Sequence, residues 1–316
     1  ESNNTVLKGI SSSYRNKGDH VIISAIEHDC IMECASFLEK QDIEITRIPV
    51  NKDGLINPED IRNAITPKTI LVSVMHANNE IGTIQPIAEI GKICRAKKVF
   101  FHTDASQSLG KIPLDAQKNS IDLLTASSHK LYGPKGVGLL YIRNGISLTP
   151  LLHGGGHEKG IRSSTVNVPS IAAFTKAVAI CQKEMKAESQ RLTLLRDKLI
   201  TAIQKTIPHT YLNGHATARL PNNINLRFMF VEGESILMQL DKYGFAVSTG
   251  SACSSRSLTP SHVLTALGLK PAEIHGSVRI TLGRWTKEKD LIYLLKVLPK
   301  IIKNLRKISP FSNLIQ

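Results

Sequence analysis

The chain is 316 residues long, room for two domains or one large one, and its 41% hydrophobic and 21% charged residues suit a sizeable core. It shows no apolar run of membrane-spanning length and no signal-peptide pattern at its polar amino terminus, and its five dispersed cysteines, none at zinc-finger spacing, read as reduced thiols of a cytosol-like compartment. Lys plus Arg number 40 against 26 Asp plus Glu, but the resulting +14 is spread along the chain without interleaved aromatics, which argues against direct nucleic-acid binding and favours acidic protein partners.

Up to about residue 143, short apolar strands alternate with helices. A helical opening over 5–14 precedes a strand at 21–24, a helix at 31–40 and a strand at 44–48. After the turn at 51–54, Asn57 before Pro58 marks a helix start, with Glu59 and Asp60 in its first turn and an end near 65. Then come a strand at 69–76, a helix at 87–96, and strands at 99–103, 121–126 and 137–142. This alternation predicts an α/β fold, a mostly parallel sheet covered on both faces, with functional groups at the carboxyl ends of the strands. A Gly-rich loop at 153–158 breaks the pattern, and a long helix is expected over 170–205, stopped by Pro208. Beyond it a strand at 223–227, a helix at 234–241, strands at 244–247 and 278–282 and a helix at 287–303 indicate a smaller α+β domain. The boundary is placed at 165/166, giving a large domain over 1–165 and a small one over 166–316, with the long helix bridging to about 205.

Lys130 follows the apolar run 121–125 and the small polar Ser127-Ser128-His129, just before a Gly/Pro turn. A lysine at the end of a buried strand is poorly solvated, so its charged form is disfavoured and a free amine becomes available for a Schiff base. Asp104 ends the preceding run and suits a charge-assisted hydrogen bond to a pyridinium nitrogen. It equally suits capping a short helix from Ala105. An amine and a carboxylate at the ends of successive strands are the two protein groups that pyridoxal phosphate requires. Gln107 is placed to donate to the ring's phenolic oxygen, and Ser127 and His129 offer donors for its phosphate. His28, after the first strand, is either a ring-stacking proton carrier or a loop histidine. Asn78 and Asn79 supply amides at the end of the run 69–76, or form a polar turn. Arg279 lies on the strand face opposite Val278 and Ile280, fit for a carboxylate or for water. Residues 248–257 carry six Ser or Thr and one Cys, Cys253. Too little there packs a core, so an exposed loop with a thiol activated near Arg256 is expected. Cys94, and Cys30 with Cys34 on one helix face, read as small core residues.

Taken in order, Lys130 with its flanks, the run from His76 to Gly82, His102 to Ser108, His153 to Glu158 with Arg162 to Thr165, and the Ser-Thr-Gly-Ser-Ala-Cys loop at Cys253 resemble the cysteine desulfurases of the iron–sulfur cluster assembly type. The resemblance covers essentially the whole chain and points to the group with the longer cysteine loop. It implies the homodimeric fold-type I pyridoxal phosphate architecture. It also implies that Lys130 holds the cofactor and acts as base, that Asp104 and Gln107 bind the ring, that His28 stacks on it, and that Ser127 and His129 hold the phosphate. Thr165 reaches the phosphate of the neighbouring subunit, Asn79 and Arg279 hold the substrate carboxylate, and Cys253 attacks sulfur. L-cysteine would give L-alanine and a Cys253 persulfide, supplying an iron–sulfur scaffold or other acceptor protein and tRNA thiolation, in the cytoplasm or the matrix of a mitochondrion. Family members carry further chain before the position matching Glu1, including a Gly-Ala-Thr phosphate loop at a helix start. The expectation is therefore a chain lacking that segment, with weakened cofactor binding. The alternatives are a catalytically silent remnant, one half of a split desulfurase, or a different pyridoxal phosphate enzyme such as an aminotransferase, against which the cysteine loop stands.

Overall fold

The alternating first half becomes one sheet. In the computed structural model, which describes residues 1–250 and 260–310, α1 (Ser2–Ser13), β1 (His20–Ser24), α2 (Asp29–Glu39), β2 (Glu44–Ile48), α3 (Pro58–Ala64), β3 (Thr69–Ser73), α4 (Ile87–Lys97), β4 (Phe100–Asp104), β5 (Leu123–Ser127) and β6 (Gly138–Ile142) follow one another. The strand order is β2-β1-β3-β4-β5-β6, parallel up to β5, with β6 antiparallel to it. Apolar strands buried on both faces explain the near-continuous Val/Ile/Leu runs. On one face Val21, Ile23 and Leu123 pack with Val6, Leu7 and Ile10 of α1 and Ile31, Ala35 and Leu38 of α2. On the other, Ile22, Val72, Phe101 and Leu124 pack with Ile61 of α3 and Ile90 and Ile93 of α4. Asn57 caps α3 by accepting from the Glu59 amide at 3.3 Å, and Lys98, left-handed at φ 58°, ends α4. In α4, Gly91 is required: a Cβ there would lie 2.0 Å from the Asn119 carbonyl oxygen.

The chain forms two compact units, one of residues 1–50, 55–78 and 84–185, the other of 51–54, 79–83 and 186–316. α5 (Val168–Thr206) begins in the first and continues into the second. In the second unit β7 (Thr210–Leu212), β8 (Asn223–Phe228) and β9 (Ser277–Thr281) form an antiparallel sheet in the order β7-β8-β9. Between them come α6 (Gly233–Asp241), α7 (His262–Ala266) and α8 (Pro271–Ile274), and α9 (Glu288–Lys307) follows. Leu195, Leu199 and Ile203 of α5, Ile236 and Leu240 of α6, and Leu294, Leu298 and Ile301 of α9 bury Ile224, Leu226 and Val278 of the sheet. This is the helix-covered parallel sheet with a second, smaller α+β part that the alternation predicts.

Some details depart from the sequence expectations. The run 244–247 is not a strand. Gly244 has φ 80° and the Phe245 amide donates back to Leu240 O at 3.1 Å, so the chain is still closing α6, and only Ser248 bridges to Arg279. The short β7, α7 and α8 have no periodic signal of their own. No helix among the described residues is long and apolar enough to cross a membrane.

Candidate active site

Strand order reverses between β1 and β3, since the chain leaves β1 for β2 on one side and returns to β3 on the other. Ligands of such sheets gather outside the carboxyl ends of the strands at this point. His28 follows β1 there and caps α2, its Nδ1 accepting from the Cys30 amide at 3.2 Å. That contact fixes the ring and leaves Nε2 as its second polar atom. Beyond β3, the His76 amide still donates to Asp104 O at 3.0 Å. The His76 ring is buried with Nδ1 2.9 Å from Ser108 Oγ, and burial brings its pKa down to about 4.

β5 ends at Ser127, and a single 3-10 turn over Ser128–Leu131 carries His129 and Lys130. Ser127 Oγ and His129 Nδ1 lie 2.9 Å apart, so these two expected phosphate donors meet. Tyr132 at φ 63° closes the turn, and at Gly133 a Cβ would lie 2.2 Å from Ser128 Oγ, so any larger residue there would displace that hydroxyl. Lys130 is exposed, which corrects the expectation of a buried amine: the turn carries it past the end of the strand. A second amine lies nearby, that of Lys111, which donates to the Gln107 carbonyl at 2.8 Å. Burial first, then the Lys130 charge, lowers its pKa to about 8. Gln107 is half-buried and Thr165 exposed.

Asp104 closes β4, directly opposite Thr125 of β5, and is only 6% exposed. Its Oδ1 accepts from the Ser106 amide at 2.8 Å and its Oδ2 from Asn3 Nδ2 at 2.7 Å. The Ser106 bond closes a turn: no helix starts at Ala105 among the described residues, so the capping expectation is not met, and the placement for a ring nitrogen is the one available to Asp104. Two residues in this neighbourhood carry no weight in the sequence reading. Asn3 sits on the buried face of α1, where an amide must find partners. Glu27 is fully buried and accepts from the Met75 amide at 2.7 Å. Burial and the Asp104 charge push its carboxyl well above the usual range.

In the second unit, Arg279 of β9 donates from Nη1 to the Asn79 carbonyl at 2.9 Å, which brings these two expected substrate residues together. The loop at Asn79 is pinned by Asn223 and Asn225, whose Nδ2 atoms donate to Glu80 O at 3.0 and 3.1 Å, and by Ser261 Oγ, which donates to Glu80 Oε2 at 2.6 Å. Cys253, with Arg256, lies outside the described residues.

The donor set fits pyridoxal phosphate. Asp104 is a buried carboxylate held by neutral donors and makes no ion pair among the described residues. A buried anion without a cation is costly, and a protonated ring nitrogen supplies the missing partner. The accessible Lys130 amine and the Ser127–His129 donors stand at the end of the neighbouring strand.

Comparison with known proteins agrees. Residues 1–294 match the aminotransferase class-V family. The protein named cysteine desulfurase IscS of Dictyoglomus turgidum is 51% identical over 312 residues, spanning 99% of this chain and 79% of its own length. That of Clostridium botulinum (strain Hall) is 50% identical over 312 residues, spanning 98% and 79%. A solved structure titled "NIFS-LIKE PROTEIN" superimposes with a TM-score of 0.89 at 33% identity, covering 96% of this chain and 80% of that one. The chain belongs to the aminotransferase class-V family and, within it, to the pyridoxal-phosphate-dependent cysteine desulfurases.

Proposed function

We propose that this chain converts L-cysteine to L-alanine and carries the abstracted sulfur as a persulfide on Cys253. The observation that supports this most is the placing of Lys130 and Asp104 at the ends of adjacent parallel strands, the acid buried without a cation among the described residues. In this reading Lys130 holds pyridoxal phosphate, Asp104 and Gln107 hold its ring, His28 lies against that ring, and Ser127 and His129 hold its phosphate. When bound, the cofactor supplies an electron sink that weakens the carbon–sulfur bond of the substrate. Asn79 and Arg279 hold the substrate carboxylate, Arg279 through the fork that suits two oxygens. The Lys130 amine takes the substrate α-proton. The Cys253 thiolate attacks the substrate sulfur: a sulfur–sulfur bond forms, the carbon–sulfur bond breaks, and its electron pair and a proton end on carbon. L-cysteine plus a thiol thus become L-alanine plus a persulfide, with no outside oxidant.

The persulfide sulfur passes to acceptor proteins, an iron–sulfur scaffold among them. A second copy of the chain completes the phosphate site through its Thr165. The free cysteines among the described residues suit a reducing, cytoplasmic setting. Changing Cys253→Ser is expected to keep the visible absorbance of the bound cofactor and to abolish both persulfide, read by mass spectrometry, and alanine release. Alanine released by that variant at the parent rate would remove Cys253 from the reaction.

A further inference from the structure

Behind Asp104 lies a set of buried polar side chains whose hydrogens can be assigned one by one. Asn3 is the starting point. Its Nδ2 donates to Cys30 Sγ at 3.1 Å and to Asp104 Oδ2 at 2.7 Å, so the amide nitrogen faces the acid. With the amide turned over, two acceptor oxygens would face each other with no proton between them. Asn3 Oδ1 therefore faces Thr125, whose hydroxyl donates to it at 2.5 Å. That hydroxyl has one hydrogen, now used. His102 Nε2, 3.2 Å from Thr125 Oγ1, must then carry the hydrogen between them. His102 is fully buried, and burial outweighs the pull of the Asp104 charge to bring its pKa to about 4. Its Nδ1 is therefore bare at neutral pH and accepts from Ser73 Oγ at 2.8 Å.

We propose that Ser73, His102, Thr125 and Asn3 form a one-way chain of hydrogen bonds ending on Asp104, with His102, Thr125 and Asn3 as positioning residues that aim this carboxylate at the ring nitrogen of pyridoxal phosphate. The inference rests on the reading of Asp104 given above. Its geometry is dictated by the sheet: Ser73 pairs with His102 and Thr125 with Asp104 across β3, β4 and β5, while α1 lays Asn3 over the end of the row. Every bond points the same way, so each donor is polarised by the one before it, and the last delivers a strengthened donor to the anion. A carboxylate stabilised in its charged form is a weaker base, so the shared proton stays on the ring.

Nitrogen NMR of the full chain with isotopically labelled histidine tests the chain of bonds directly. The His102 signals, identified by their loss in His102→Gln, are expected to show hydrogen on Nε2 and a bare Nδ1 at neutral pH. Hydrogen on Nδ1 instead would overturn the proposal while leaving the role of Asp104 standing. Thr125→Val is expected to weaken pyridoxal phosphate binding about tenfold and to move the pH titration of its absorbance downward, and Thr125→Ser to restore both to within about twofold. Unchanged affinity and titration in Thr125→Val would also overturn the proposal. Asp104→Asn separates the two levels: binding as tight as in the parent, with the His102 tautomer as expected, would unseat Asp104 itself. The tautomer is read on the parent protein, so a variant that fails to fold leaves that test in place.

Discussion

His76 and Lys130 both follow strands of one sheet, yet the first is buried against Ser108 and the second stands exposed on a turn. Burial gives His76 a measurable thermodynamic role. Its folded pKa of about 4 lies below the ordinary imidazole value of 6.5. Between those values the unfolded chain binds a proton that the folded chain refuses, so stability falls as pH drops through this window. At pH 5 the loss from this one group is about 2 kcal/mol relative to neutral pH. Urea unfolding at the two pH values is expected to show a smaller acid loss in His76→Asn than in the parent by about that amount. An equal loss in both would place the His76 ring in contact with water. Glu27 acts in the opposite sense: its raised carboxyl keeps its proton when folded, so its contribution declines as pH rises.

Helix α4 shows how an element can be legible in sequence while its packing is not. Its position follows from the apolar spacing of Ile87, Ile90, Ile93 and Cys94, which became its buried face. Gly91 reads as a weak spot in that helix, one that alanine should improve by about 1 kcal/mol. The Asn119 carbonyl 2.0 Å from the missing Cβ reverses the sign. Gly91→Ala is expected to destabilise the protein by about 2–3 kcal/mol, read as a lower urea midpoint at an unchanged slope. A raised midpoint would mean that the loop at Asn119 yields freely. The same division runs through the site. Strands β1 to β6 and the positions of Asp104, Ser127 and Lys130 at their ends were legible because period and punctuation are local signals. The exposure of Lys130 and the capping contact of His28 were not, because each depends on the exact geometry of a local turn, and the seat of Asn3 beneath Asp104 was not, because it depends on a helix brought from elsewhere. The false strand at 244–247 has the same origin: Phe245 and Val247 are apolar and do pack on the core, but packing does not by itself make a ladder.

For the molecule as a whole, the +14 charge bears on partners more than on chemistry. Sulfur transfer to an acidic acceptor protein is expected to slow about tenfold between low and high salt, as screening shortens the reach of the field. Transfer to a small uncharged thiol should hold steady. If both fell together, salt would be acting on the catalytic step rather than on the encounter. The reversal of β6 has a consequence of another kind. Gly138 pairs with Ser127, at the end where Lys130 emerges, while Ile142 pairs with Leu123 at the opposite end. The turn that follows, at Asn144 and Gly145, is exposed, and Gly145 meets no atom within 4 Å of where a Cβ would stand. A dye or peptide label grafted there would sit on the far rim of the sheet, a handle by which turnover can be watched without crowding the chemistry.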